Sequence, residues 1–185
     1  MRQIIITVFI LAILFAPEYF VSAEPPNETE AVMGKMILTS PAFEDGQMIP
    51  EKYGYRNENI SPPVSWAGAP GPTKAFAIIC DDPDAPSGEW VHWIIFNIPA
   101  DTKGLGEGVS KDAVLPNGAY QGMNDFKNTG YDGPCPPSGV HRYRFKIYAL
   151  KERLALNPGA AKADLLRAMR PLMLAQGQLV GKYGK

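Results

Sequence analysis

The chain has 185 residues, 45% of them hydrophobic and 20% charged, with 18 glycines and 18 prolines. Glycine and proline together stay below the roughly 25–30% that marks low-complexity chains, yet they are dense enough to exclude coiled coils and long uninterrupted helices. The net charge is −1, from 18 basic and 19 acidic residues, so there is no basic field to hold a nucleic acid by counterion release.

Met1 to Ala23 reads as an export signal. Arg2 gives a positive start, Ile4 to Phe15 is an apolar stretch of 12 broken only by Thr7, and Val21-Ser22-Ala23 supplies a cleavage site. Twelve residues fall short of the roughly 20 needed to span a bilayer as a helix. A periplasmic or secreted protein is expected, with no transmembrane segment in the mature chain. The mature chain, residues 24–185, has 162 residues, a length suited to one domain. Residues 24–34 form a polar, flexible lead-in, with a formal glycosylation sequon at Asn27-Glu28-Thr29. The domain proper is expected over 35–185.

Apolar runs then alternate with turn signals. Met36-Ile37-Leu38 is a short strand. Ala75 to Cys80 and Trp93 to Ile98 are continuous and rich in β-branched residues, as in sheet covered on both faces. Tyr143 to Leu150 alternates large apolar and polar residues, the period-2 pattern of a half-buried strand. Ile49 to Pro72 and Asp101 to Pro137 are expected as long loops. One helix begins near Ala160 and runs through Met169, disturbed by Pro171, and a short strand, Gln178 to Gly181, closes the chain. The architecture is mostly β and antiparallel. Two cysteines in an exported chain could form one disulfide; alternatively, Cys80 at the end of its apolar run is a small buried hydrophobe.

Only two histidines are present, and both sit where a loop becomes a strand. His92 lies in Glu89-Trp90-Val91-His92-Trp93, after Asp81-Asp82-Pro83-Asp84-Ala85-Pro86-Ser87. His141 lies in Gly139-Val140-His141-Arg142-Tyr143, after Gly133-Pro134-Cys135-Pro136-Pro137-Ser138. Pro83 and Pro86 fix an extended turn and hold its carboxylates in place; a solvated Asx-type turn has the same composition. The Gly133 to Pro137 loop is rigid before any ligand arrives, and Gly133 is placed to offer its N–H to an anion, although a plain rigid surface loop would look alike. Asp82, His92 and His141 could supply three zinc ligands, but the acidic turn lacks the spacing of a calcium loop. There is no Gly-x-Ser-x-Gly elbow, and neither cysteine has a histidine partner in sequence, so no activated nucleophile is expected.

Several ordered segments carry a family resemblance. They are Asn59-Ile60-Ser61-Pro62-Pro63 with Trp66, Asp82 to Ser87, Trp90-Val91-His92-Trp93, Asn124-Asp125-Phe126, Gly130 to Gly139, and His141 to Phe145 through Tyr148-Ala149-Leu150. Together they resemble the phosphatidylethanolamine-binding protein family, in its bacterial Raf-kinase-inhibitor-like branch, over about Lys35 to Gly184. The resemblance implies an antiparallel β-sandwich with a large central sheet and few short helices. It also implies a small cavity for phosphate-like anions or phospholipid head groups. Asp82, His92, His141 and Tyr143 would surround that cavity, Pro86 and Trp90 would wall it, and Gly133 and Pro134 would form its rim. A cis bond at Ala85-Pro86 is implied as well. Pro171-Leu172 stands where bacterial members often carry Gly-His, so no histidine is expected from that position.

The expected function is ligand binding without a cofactor or catalysis. In a different class, the exposed loops would engage a protein partner, a protease or a kinase, and inhibit it. A hydrolase built on Asp82, His92 and His141 is the third reading.

Overall fold

The computed structural model describes residues 33–185, so the expected leader, the sequon and most of the lead-in lie outside the described residues. Nine strands and one α-helix follow in order. They are β1 (Gly34–Lys35), β2 (Ile37–Thr39), β3 (Val64–Ala67), β4 (Ala75–Asp82), β5 (Trp90–Pro99), β6 (Gly104–Leu105), β7 (Tyr120–Gln121), β8 (Val140–Leu150), α1 (Lys162–Met169) and β9 (Met173–Gly184). Six strands form one sheet in the order β1-β9-β8-β4-β5-β7, and three form a second in the order β2-β3-β6. All pairings are antiparallel except that of β1 with β9. The large sheet is therefore antiparallel except at its β1 edge, in keeping with the mostly β sandwich expected.

The continuous apolar runs have the expected cause. Every residue of β4 is buried, and all of β5 but its two end residues, because the large sheet is covered on both faces. On one face Phe76, Ile78, Cys80, Trp93, Tyr143, Phe145 and Ile147 pack with Leu38, Val64 and Trp66 of the small sheet. On the other, Ala77, Ile79, Ile94, Phe96 and Tyr148 pack against Leu165 and Met169 of α1. Alternation also sends neighbouring carboxylates apart. Asp81, fully buried, accepts from Arg144, Lys146 and Lys162 at 2.6–2.8 Å, so the cations of β8 and α1 tie the helix to the sheet. Burial alone would raise the Asp81 pKa, but these three donors hold it below its usual value.

Both stretches expected as long loops contain strands: the later one, 101–137, includes β6 and β7. The Pro-rich segment before Lys74 includes β3, whose Trp66 and Val64 point inward while Ser65 and Ala67 are exposed. The closing strand is three times longer than expected: β9 spans 12 residues. Its length was hidden by glycines that the packing requires. A Cβ at Gly177 would collide with the carbonyl oxygen of Met36, and one at Gly181 with the side chain of Ile49. Both cysteines are free, with Cys80 buried in the core. Among the described residues no helix is long and apolar enough to cross a membrane.

Close approach at Gly177 makes a checkable distinction between glycines. Gly177→Ala should destabilise the domain by about 1–3 kcal/mol through overpacking. Gly106→Ala, with no neighbour within 4 Å of its added Cβ, should stay within about 0.5 kcal/mol. Urea unfolding of the two variants measures both.

Candidate functional site

The site begins with a register change. Along β4 and β5, Cys80 faces Trp93 but Asp81 faces Val91, so His92 is one residue too many on β5. A bulge of this kind re-aims a side chain and frees a backbone group. The His92 carbonyl accepts from the N–H of Asp132 at 3.0 Å, and the His92 Nδ1–H donates to the carbonyl of Asp132 at 2.7 Å. Because a carbonyl can only accept, Nδ1 carries the proton. Nε2 is thereby left as the ring's free polar atom.

His92 lines a cavity of about 180 Å³ together with Asp82, Ala85, Pro86, Ser87, Trp90, Phe126, Cys135, Pro136, Pro137 and Tyr143. Larger grooves exist, one of them about 800 Å³ beside Lys35, Lys146 and Gln178. They are more open, and neither histidine lines them. In the small cavity, Trp90 Nε1 and Tyr143 Oη are buried and have no hydrogen-bond partner. Only one other described side-chain atom shares that condition, Trp66 Nε1, and Trp66 does not line the cavity. A buried donor left unpaired costs roughly 1–3 kcal/mol, and the side chains that carry these two line the same small cavity.

Aromatic contacts fix these donors. His92 meets Tyr143 edge-on at 5.1 Å and Phe126 at 5.4 Å, and Phe126 meets Trp90 at 5.5 Å. The apolar enclosure has an electrostatic consequence. Burial pushes the His92 pKa below its usual value, partly offset by the Asp132 carbonyl and the Asp82 charge. Burial, reinforced by the Asp82 charge, pushes the Tyr143 hydroxyl well up, so it remains a donor at any physiological pH.

Asp82 is held from two sides. Oδ2 accepts from His141 Nδ1 at 2.7 Å, and Oδ1 from the N–H of Asp84 at 2.8 Å. Asp84 in turn takes a bidentate contact from the Arg142 guanidinium at 2.6 and 2.9 Å, which lowers its pKa to about 2. The Asp82–Asp84 turn is thus clipped to the start of β8.

Of the residues singled out in the sequence, Asp82, Pro86, Trp90, His92 and Tyr143 share the cavity. His141 stands behind Asp82 rather than on the wall. Gly133 and Pro134 also lie outside it. The Gly133 N–H donates to Asn59 Oδ1 at 2.7 Å and is not offered to an anion, and the Pro134 carbonyl accepts from Tyr55. The rim is formed one step later, by Cys135, Pro136 and Pro137. The Ala85-Pro86 bond is trans, since no cis peptide occurs among the described residues. The reversal is made instead by Gly88, at φ 99° with its N–H bonded to the Ala85 carbonyl at 3.0 Å. Asp82, His92 and His141 do not assemble as three metal ligands: two are bonded to each other and the third to a carbonyl. Among the described residues no cluster of three or more such side chains is spaced to hold a metal. Phe126 also lines the cavity, and in the sequence nothing beyond its aromatic character in Asn124-Asp125-Phe126 signals that place.

Comparison with known proteins agrees with this architecture. The family profile described as Phosphatidylethanolamine-binding protein matches residues 39–184. A UPF0098 protein of Methanothermobacter thermautotrophicus is 55% identical over 148 residues, covering 80% of this chain and 98% of the relative. The Escherichia coli UPF0098 protein YbhB is 43% identical over 137 residues, covering 69% and 87%. Among solved structures, E. coli YbcL matches with TM-score 0.76 at 32% identity, over 82% of this chain and 99% of that one. A Chlamydia trachomatis homologue of the phosphatidylethanolamine-binding proteins matches with TM-score 0.75 at 39% identity, over 82% and 98%. With the profile spanning most of its length and its sandwich shared by solved relatives, the chain belongs to the phosphatidylethanolamine-binding protein family.

Proposed function

We propose that the cavity binds a small anionic group, a phosphate or the phosphorylated head group of a lipid. The observation that carries this reading is the pair of unpaired buried donors, Trp90 Nε1 and Tyr143 Oη, on one small wall. Both are neutral donors on rings packed edge-on against neighbouring aromatics, and both are closed over within the lining, so an accepting anion would shift the lining to reach them. The cavity is too small for a drug-sized ligand, but it has room for one tetrahedral oxyanion.

His92 gives the site its pH response. As a neutral ring with Nδ1 donating to Asp132, it presents only an acceptor to the cavity, suited to a protonated phosphate oxygen or an ammonium. Once protonated, it donates from Nε2 as well, and a charge-assisted bond to an oxyanion is roughly twice as strong as a neutral one. Asp82 keeps its carboxylate engaged by His141 and the Asp84 N–H, which tempers its repulsion of an anion. It also supplies a negative group that an ethanolamine ammonium would meet.

Two outcomes follow for the purified domain. Tyr143→Phe should weaken inorganic phosphate binding, read by isothermal titration calorimetry, by about 10–100-fold, the value of one donor to a charged acceptor. The ligand-free melting temperature should be unchanged or higher, because an unpaired buried hydroxyl is removed. Equal phosphate affinity in the variant and the parent would remove the cavity as the site.

Sulfate, a dianion throughout the working range, isolates the histidine. Because burial depresses the His92 pKa, the neutral ring's contribution to stability is complete above about pH 6.5, the unperturbed value. It is lost as the pH falls through the lower folded value. Sulfate, by favouring the protonated ring, should recover part of that loss. Its thermal stabilisation should therefore grow as the pH falls from 7.5 to 5, and His92→Gln should flatten the trend.

A further inference from the structure

The Asp132 side chain binds nothing in the cavity, yet it is the most heavily bonded carboxylate beside it. Asp132 is buried, at 2% exposure. Oδ1 accepts from Asn59 Nδ2 at 2.9 Å and Lys111 Nζ at 3.0 Å, and Oδ2 from Asn124 Nδ2 and Asn128 Nδ2, both at 2.9 Å. Those donors come from three separate stretches of loop. Asn59 sits in the left-handed region at φ 54°, and its Oδ1 accepts from the Gly133 N–H, so the peptide unit between Asp132 and Gly133 is held from both ends. That unit contains the carbonyl that accepts from His92 Nδ1–H, while the Asp132 N–H donates to the His92 carbonyl.

We infer that Asp132 is the positioning residue of the cavity: its anchored peptide fixes which His92 nitrogen faces the ligand, and its buried negative charge, partly neutralised by Lys111, sets how readily that nitrogen gains a proton. The inference rests on the anion-binding reading for its purpose, but not for its geometry. A loop in this part of the chain has no ladder to hold it, and an ordinary polar loop would leave the bulged His92 free to choose either tautomer. Four donors, two on each oxygen, fill the acceptor sites of the Asp132 carboxylate. They immobilise the one peptide that reads the ring.

The groups around His92 determine the sign of the effect. From β4 comes the carboxylate of Asp82, itself bonded to His141 of β8; from β8 also comes Tyr143, edge-on to the ring. From the loop before β8 come Asp132 and the half-buried Cys135 on the cavity wall, while Asp125 bonds the backbone N–H of Val91 next door. Lys111 is the cation joined to Asp132, at 44% side-chain exposure. Removing the Asp132 charge withdraws support for the imidazolium. Removing Lys111 leaves the Asp132 charge less compensated and strengthens that support.

The test reads His92 directly in ligand-free protein, by nitrogen and carbon NMR of labelled histidine against pH. The parent should show the neutral ring protonated on Nδ1. Asp132→Asn should lower the His92 titration midpoint and lose the tautomer preference, whereas Lys111→Met should raise it, each by on the order of one pH unit or less. Opposite signs are not produced by loosening alone, which would shift both variants toward an ordinary histidine. In the binding arm, sulfate affinity at pH 6 should fall at least several-fold in Asp132→Asn and hold or rise in Lys111→Met. Should Asp132→Asn not fold, Lys111→Met still tests the inference, because it must raise the midpoint while keeping the neutral ring protonated on Nδ1, whereas loosening would raise the midpoint and lose the tautomer preference. An unmoved or lowered midpoint in Lys111→Met, or a parent ring protonated on Nε2, overturns the inference. Correct NMR shifts with no sulfate binding in the parent would instead reject the anion-binding reading and leave the positioning role standing.

Discussion

One extra residue on β5 organises this molecule's chemistry. Had β4 and β5 kept register through Cys80 and Trp93, the residue at 92 would have taken an ordinary place in the ladder. The bulge instead turns His92 toward the end of the sandwich and leaves its carbonyl to be claimed by another segment. Asp132 claims it, and accepts the ring's Nδ1–H in return. The long connection that carries Asp132 must therefore run beside β5. It does so through β7, through the Gly122 N–H on the Ile94 carbonyl, and through Asp125 on Val91. From that course come Phe126 on the cavity wall and the rim at Cys135 to Pro137.

A second constraint is the alternation of side chains along β4. Asp81 and Asp82 are adjacent, yet one belongs to the ion cluster that fastens α1 and the other to the cavity. Burying a carboxylate is costly unless it is paired and hydrogen-bonded. Each has partners suited to its charge: three cations for Asp81, and His141 with the Asp84 N–H for Asp82. The two faces of the sheet are thus held by neighbouring residues acting in opposite directions. Tyr143 completes the site for the same reason of parity: with Phe145 and Ile147 it occupies the face of β8 that looks into the sandwich. Its hydroxyl finds no partner there, whereas the tyrosine on the opposite face, Tyr148, packs toward α1.

Much of this was legible in the residues. Continuous β-branched runs announced β4 and β5, because burial on both faces leaves no room for alternation, and the period-2 pattern announced β8. The histidines and the Pro-flanked aspartates drew attention as rare or rigid groups at strand ends. What escaped was whatever depends on register or on distant partners. Nothing in Trp90 to Trp93 marks His92 as the bulged residue; only pairing with β4 does. Gly133 looked free to greet an anion, but its N–H is spent on Asn59, more than seventy positions earlier in the chain. Asp132 had no outward sign of its role, since its four donors converge from separate loops. The length of β9 was concealed because Gly177 and Gly181, which weaken a strand signal, are what allow it to pass close to Met36 and Ile49.

In the proposed function, Trp90 Nε1 and Tyr143 Oη are unpaired among the protein's own groups because an anion completes them. A high-resolution crystal structure of the domain grown with inorganic phosphate near pH 6 tests this most directly. The claim predicts a tetrahedral anion in the cavity, its oxygens about 2.7–3.1 Å from both donors and from His92 Nε2. Phosphate bound elsewhere, with the two donors satisfied by side-chain rearrangement or by ordered water alone, would contradict it.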